Sequence, residues 1–285
     1  MIKIETANGV KVPFELIKFP DGHRHFRLAD DVAFLSSAVV TIRIRTFDDL
    51  FVLKQAVKNM RNLSKDVVLH LKVVYLLAAR FDRPMVAFDS FDLQIVAEYI
   101  NEMNFNSVSI LEPHSQVSLA LINNSYTVSP LDEAVKQELT CYQNTKTLEY
   151  DCCFVVPDLG AVKRLEHLLK GHGQVNIVYS NKTRNLKTGE ITGIEILNPD
   201  KLLPNVIIFD DLCDGGRTFT ELAKVLRPRG VKRIILAVTH GIFSKGLNVL
   251  VQPNDEGSYL DRIITTNSYS DQAFERSKLR VVEVI

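Results

Sequence analysis

At 285 residues the chain is too long for one small core and suits two domains of ordinary size. Its 34 lysines and arginines balance 34 aspartates and glutamates, so it lacks the positive field that draws a protein to nucleic acid or to an anionic membrane. Its partners are expected to be small molecules and other protein chains. The four cysteines, Cys141, Cys152, Cys153 and Cys213, have neither CxxC spacing nor the pattern of a disulfide framework, which points to a reducing cytoplasm. Residues Met1 to Thr6 carry no apolar signal region, and no apolar run approaches the roughly 20 residues that span a bilayer. A soluble, unprocessed protein is expected.

In chain order, Ala38 to Ile44 reads as a strand, Asp48 to Met60 as a helix, Val67 to Val74 as a strand, Asp92 to Met103 as a helix and Val108 to Leu111 as a strand. These make a first α/β domain. A polar stretch, Gln143-Asn144-Thr145-Lys146-Thr147, interrupts the pattern between Cys141 and Tyr150, so the expected domains are residues 1–145 and 146–285. The second begins with strand Phe154-Val155-Val156, a helix from about Ala161 to Leu169 closed by Gly171, and a strand from Val175 to Tyr179. Val206 to Phe209 is a short continuous apolar run, as in a strand buried on both faces. A polar turn, Asp210 to Arg217, follows. Then Phe219, Leu222, Ala223 and Leu226 recur at i, i+3, i+4 and i+7, on one face of a helix that Pro228 and Gly230 end, before strand Ile234 to Val238. Strand, loop, helix and strand make a βαβ unit, hence a parallel sheet with ligands bound beyond the carboxyl ends of its strands.

The chemistry concentrates in that turn. Asp210, Asp211 and Asp214 are acceptor-only carboxylates, suited to the neighbouring hydroxyls of a sugar. Gly215-Gly216-Arg217-Thr218 lets the backbone approach closely and leads into a helix N-terminus, where free N–H groups favour an anion. A ribose 5-phosphate would be held at both ends. Either half alone would pass for an ordinary acidic turn capping a helix; the two in register on one crossover favour the sugar phosphate.

Asp210 to Thr218 resembles the ribose-phosphate loop of type I phosphoribosyltransferase folds, and other segments resemble the phosphoribosyl-pyrophosphate synthetases in order and spacing. Phe19-Pro20-Asp21-Gly22-His23 is similar to that family's adenine-contacting F-x-D-G-E, which marks Phe19, Asp21 and His23 for ATP. Tyr75 to Arg83 is similar to Y-x-x-Y-A-R-Q-D-R, implying that Arg80, Phe81 and Arg83 also bind ATP. Glu112-Pro113-His114 stands where the family has D-L-H, and Val156 to Arg164 matches P-D-x-G-x-x-x-R. The resemblance thereby assigns Glu112, His114 and Asp158 to magnesium, with His114 also near the reacting phosphates. Asn181-Lys182-Thr183-Arg184 matches the K-x-R that opens a mobile catalytic loop, and Thr239 to Ser244 matches T-H-x-x-x-S. Six motifs in one order, from about residue 19 to about 267, are far more specific than any one of them.

The resemblance implies two type I phosphoribosyltransferase-like α/β domains, each a mainly parallel sheet flanked by helices, with ATP between them. It also implies a homo-oligomer, dimers within hexamers, in which a neighbouring subunit supplies the adenine segment. The expected reaction moves the β,γ-diphosphate of magnesium-ATP to the anomeric hydroxyl of a ribose 5-phosphate unit, with AMP released. Such chemistry needs cations where charge shifts, which assigns Lys182 and Arg184 to catalysis beside His114. Alternatives are a nucleobase phosphoribosyltransferase, which has no need of the Arg80 segment, and a non-catalytic regulatory subunit, against which Lys182, Arg184, His114 and Asp158 argue. The chain departs from the family at Glu112, His23 and Phe81, which stand for aspartate, glutamate and glutamine. The sharpest departure is Asp214-Gly215-Gly216-Arg217-Thr218 in place of D-T-A-G-T. The glycines are expected to leave the phosphate pocket emptier and Arg217 to offer a fork to a second phosphate, which makes ADP-ribose an acceptor candidate beside free ribose 5-phosphate.

Overall fold

Period-two burial of Ala38, Val40 and Ile42, matched by Leu69, Leu71 and Val73, builds the centre of a first sheet. The structure is a computed structural model, and it describes residues 1–285 except 31, 33–34, 145–149, 158–161, 163–164, 167, 170–174, 185–190, 252, 255–256 and 272–277. The chain forms two compact units, Met1–Ser129 with Ile285, and Pro130–Val284.

In the first unit the sheet order is β1 (Ile2–Thr6), β4 (Ser37–Arg43), β5 (Val68–Tyr75), β6 (Ser107–Leu111), β7 (Ser125–Val128). All its pairings are parallel except that of β1 with β4. Between β1 and β4 a hairpin of β2 (Phe14–Lys18) and β3 (Arg24–Leu28) forms a small sheet of its own. Helix α1 (Phe47–Leu63) starts at a capping box in which the Thr46 hydroxyl accepts from the Asp49 amide and Asp49 returns the contact to the Thr46 amide. It buries Leu50, Leu53, Val57 and Met60, and α2 (Asp92–Asn101) buries Leu93, Val96, Ala97 and Ile100, all in the core that holds β4, β5 and β6. The five-residue α3 (Val117–Leu121) follows β6.

The second unit opens with α4 (Asp132–Thr140). Leu131, Ala134, Val135 and Leu139 pack with Phe154, Ile207 and Ile235, so the units divide before α4 rather than at the polar stretch after it. The expected boundary at 145 followed a break in pattern; the observed one follows where the apolar face of α4 is buried. The sheet order is β10 (Ile191–Ile196), β9 (Asn176–Arg184), β8 (Cys152–Val156), β11 (Asn205–Cys213), β12 (Arg233–Gly241), β15 (Arg262–Thr266), β16 (Leu279–Val282), with only β10 antiparallel to its neighbour. A two-residue ladder joins β13 (Pro253–Asn254) and β14 (Gly257–Ser258). Val206 and Ile208 face one apolar cluster and Ile207 and Phe209 the other, so β11 is buried on both faces as its apolar run predicts. The helix Arg217–Leu226 turns Phe219, Leu222, Ala223 and Leu226 inward and carries the chain from β11 to β12. Between β8 and β9, Val162, Leu165, Glu166 and Leu168 are helical, on the expected helix. No helix among the described residues is long and apolar enough to cross a membrane.

Candidate active site

The acidic loop is more strand than turn. β11 stays paired with β12 through Asp210, Leu212 and Cys213, so Asp210 and Asp211 are buried at the carboxyl end of a central strand instead of lying in an open loop. Asp210 Oδ1 accepts from the Asp211 amide at 2.9 Å, which orients one carboxylate by the chain itself. Beyond Cys213 the backbone is pinned from the next strand: Ile242 and Phe243 donate their amides to the Cys213 carbonyl at 2.9 and 3.1 Å. Gly216 takes φ +80°, the left-handed conformation open to glycine, and hands the chain to the helix Arg217–Leu226.

The double glycine does not leave empty space. A β-carbon on Gly216 would stand 2.8 Å from Leu250 Cδ2, and one on Gly215 would stand 3.6 Å from Lys245 Cε. Leu250 leaves no room for a side chain on Gly216, and Lys245 lies in van der Waals contact with Gly215, so side chains from the segment after β12 cover the turn, which corrects the expectation of an emptier pocket. Lys245 and Leu250 escaped the sequence reading: they follow the T-H-x-x-x-S match, and nothing local in the sequence ties them to a loop 30 residues earlier. Gly241 is close-packed too, since a β-carbon there would meet the Phe243 ring at 2.3 Å. At the end of β12 the buried His240 places Nδ1 2.9 Å from the Ser268 hydroxyl, which in turn lies 3.2 Å from the Thr239 carbonyl.

Lys182 and Arg184 both sit on β9, opposite Ile194 and Ile191 of β10, so the K-x-R segment is the end of a hairpin strand. Lys182 is half-buried. The stretch that follows, 185–190, and Asp158 lie outside the described residues.

In the first unit the motif segments also occupy strand ends. After β5, Ala78 adopts φ +59°, and the chain runs on to Arg80, Phe81 and Arg83, all exposed. Arg83 Nε reaches Asp82 Oδ1 only at 4.0 Å, a surface pair of little energetic weight. After β6, Glu112 adopts φ +34°, donates its amide to the Val128 carbonyl at 3.1 Å and accepts from the Ser129 hydroxyl through Oε1. Its carboxylate is buried, whereas His114, two residues on, is exposed. The hydroxyls of Ser115 and Ser118, just beyond, are buried with no hydrogen-bond partner, a polar feature with no sequence signal. Among the described residues no three His, Cys, Asp or Glu side chains gather as a metal cage.

Phe19, Asp21 and His23 form the tip of the β2–β3 hairpin. The Phe19 amide donates to the His23 carbonyl at 2.9 Å, Asp21 Oδ1 accepts from the His23 amide at 3.0 Å, and Gly22 turns at φ +92°. The Phe19 and His23 rings lie 5.8 Å apart at 21°, and Phe51 of α1 meets the imidazole at 5.8 Å.

A parallel sheet with paired carboxylates at a central strand end, a glycine turn and a helix N-terminus is the architecture of the type I phosphoribosyltransferase class, here beside a second α/β unit. The comparisons agree. Residues 203–285 match the family model described as a phosphoribosyl synthetase-associated domain. A ribose-phosphate pyrophosphokinase of Sulfurisphaera tokodaii is 25% identical over 278 residues, 93% of this chain and 87% of that protein. One of Mycoplasmopsis pulmonis is 23% identical over 211 residues, 72% of this chain, and the match spans 61% of that protein's length. The crystal structure of phosphoribosylpyrophosphate synthetase from Mycobacterium smegmatis superimposes with a TM-score of 0.72 at 18% identity, covering 97% of this chain and 87% of that one, a likeness of fold. Over nearly its whole length the chain is thus similar to ribose-phosphate pyrophosphokinases, and it shares the fold of phosphoribosylpyrophosphate synthetase.

Proposed function

We propose that the protein transfers the β,γ-diphosphate of magnesium-ATP to the anomeric hydroxyl of a ribose 5-phosphate unit, and that ADP-ribose serves as acceptor at least as well as free ribose 5-phosphate. The observation that carries this reading is the run from buried Asp210 and Asp211 through Asp214, Gly215 and Gly216 into the helix that opens with Arg217 and Thr218. The carboxylates accept from the ribose hydroxyls, and the glycine turn and first helical amides receive the phosphate. Arg217 is exposed at the first helical position, where its fork extends the cationic surface beyond a single phosphate.

The anomeric oxygen attacks the β-phosphorus in line. One C–O–P linkage forms, the bond from the β-phosphorus to the α,β-bridging oxygen breaks, AMP leaves with that oxygen, and the hydroxyl proton is released. Lys182 and Arg184 neutralise charge as it moves between phosphoryl oxygens. The exposed rings of Phe19 and His23 offer a near-parallel surface to a purine, with Asp21 beside them, while Arg80 and Arg83 flank Phe81 as phosphate forks. Magnesium suits this set as an ion that arrives on the triphosphate: it keeps waters and phosphate oxygens as ligands and needs only one or two protein groups, from Glu112, His114 and Asp158. Bound there, it would neutralise phosphate charge. The reading extends to a protein of the reducing cytoplasm that works as a homo-oligomer, a dimer or a hexamer.

Incubation with magnesium-ATP and each acceptor, read by mass spectrometry, tests this. AMP and a diphosphorylated product are expected with both acceptors, with kcat/KM for ADP-ribose equal to or above that for ribose 5-phosphate. No diphosphorylated ADP-ribose would remove the acceptor claim; no AMP with either acceptor would remove the reaction.

A further inference from the structure

Lys245 lies along the ribose-phosphate loop for reasons that can be traced to two backbone turns. Phe243 at φ +48° and Gly246 at φ +76° are both left-handed, and the Gly246 amide donates to the Phe243 carbonyl at 2.7 Å. This tight reversal, held to the Cys213 carbonyl by the amides of Ile242 and Phe243, turns Lys245 onto Gly215. A β-carbon on Gly215 would stand 3.6, 3.7 and 3.9 Å from Cε, Cδ and Cγ of the lysine, ordinary van der Waals contact along the whole stem. The apolar part of the side chain is laid on the loop while the residue remains exposed, the arrangement in which a lysine keeps its head in water. The lysine stem thus lies in contact with position 215, where a D-T-A-G-T loop has a threonine, so an ammonium is tethered beside a loop that lacks that hydroxyl.

We propose that Lys245 is a specificity-determining residue whose ammonium, with Arg217, contacts the outer phosphate of an acceptor that carries a diphosphate on its ribose 5-oxygen. This rests on the acceptor reading above. The phosphate attached to the ribose is met by the glycine turn and the helix amides, so two cationic groups, Arg217 at the end of the loop and Lys245 laid against it, are matched to a larger anion than a single monoester. Lysine supplies a mobile point charge with three donors, which tolerates the varied torsions of a diphosphate ester, and a stem packed on Gly215 has less freedom left to lose on binding.

The test uses the full chain and two variants, Lys245→Met, which keeps the stem and removes the charge, and Lys245→Ala. Steady-state kinetics with ADP-ribose and with ribose 5-phosphate are paired with direct titration of each acceptor. Lys245→Met should lose about 10- to 100-fold in kcat/KM for ADP-ribose, mainly through KM, while ribose 5-phosphate changes less than about threefold. The affinity of wild type for ADP-ribose should also fall more steeply with salt than that of the Met variant. Equal losses for both acceptors would place Lys245 on the phosphate they share, and no loss in either variant would reduce it to packing; both overturn the proposal. Wild type that fails to use ADP-ribose refutes the acceptor reading itself, before any variant is compared.

Discussion

Among the described residues, left-handed backbone at non-glycine positions falls into two groups. Asn104 and Asn124 sit in ordinary turns, where asparagine tolerates the conformation. Ala78, Glu112 and Phe243 are different, because each lies just past the carboxyl end of β5, β6 or β12 and inside a motif segment. Strain of this kind persists only where surrounding contacts over-determine it, and Glu112 shows how: its amide and carboxylate are both held by the Val128–Ser129 segment. Lys182 is the residue whose charge should matter most as the diphosphate moves. Replacement by alanine is expected to lower kcat by roughly 10²- to 10³-fold with little change in ATP affinity, since the contact strengthens in the transition state. Turnover and ATP titration on the same preparation check it; parallel loss of ATP binding would assign Lys182 to ground-state binding.

The β2–β3 hairpin is a two-stranded sheet that joins neither larger sheet, and polar anchors tie it to α1. Arg24 bonds Asp48, and its Nη2 reaches Asp49 Oδ1 at 2.8 Å; Gln55 accepts from the Phe26 amide and donates to the Arg24 carbonyl, both at 2.9 Å. Phe26 is buried beneath them and stacks on Phe14 at 5.0 Å. Asp49 therefore does two things, closing the capping box of α1 and holding the hairpin. Burial alone would raise its carboxyl, but the Arg24 guanidinium, the amides of Arg45 and Thr46 and the Thr46 hydroxyl outweigh it and hold the group below its ordinary value. A depressed carboxyl stabilises the fold above its ordinary value, and that contribution is lost as pH falls through the lower folded value. Asp49→Asn should cost about 2 kcal/mol near neutral pH from the weakened cap and lost ion pair. The difference in Tm from wild type should hold above about pH 5 and shrink below it, as pH falls through the ordinary aspartate value and then the lower folded one. Thermal melts across that range measure it, and a difference independent of pH would show that the charge is immaterial.

Across the whole chain the two units divide the motif segments: the first holds the Phe19, Arg80 and Glu112 segments, and the second holds Lys182 and the Asp210–Thr218 loop. The cysteines report on the second unit. Cys152 and Cys213 are buried and their thiols are pushed up, Cys153 is buried and raised to about 11, and Cys141 is exposed. A disulfide-exchange reagent at about pH 8 should modify Cys141 promptly and the other three only on unfolding, because the thiolate is the reactive form. Prompt modification of Cys213 would mean that the strand end carrying Asp210 and Asp211 opens in solution. The sequence by itself determined the α/β class, the central strands and the helices that cover them, since continuous apolar runs such as Val206 to Phe209 and the i, i+3, i+4, i+7 face of Phe219 to Leu226 are dictated by burial. It also marked the Asp210–Thr218 loop by its chemistry, carboxylates for a sugar and glycines before a helix for a phosphate, and the other motif segments by their resemblance to the phosphoribosyl-pyrophosphate synthetases. It was silent on β1, β7, β15 and β16, which are short strands toward the margins of their sheets, and it placed the division between units at a polar stretch instead of ahead of α4. Only the tertiary structure decided that Asp210 and Asp211 are strand residues, that Glu112 is buried against Ser129, and that Lys245 and Leu250 fill the space above the two glycines. Those outcomes depend on contacts between segments distant in the chain, which local periodicity does not encode.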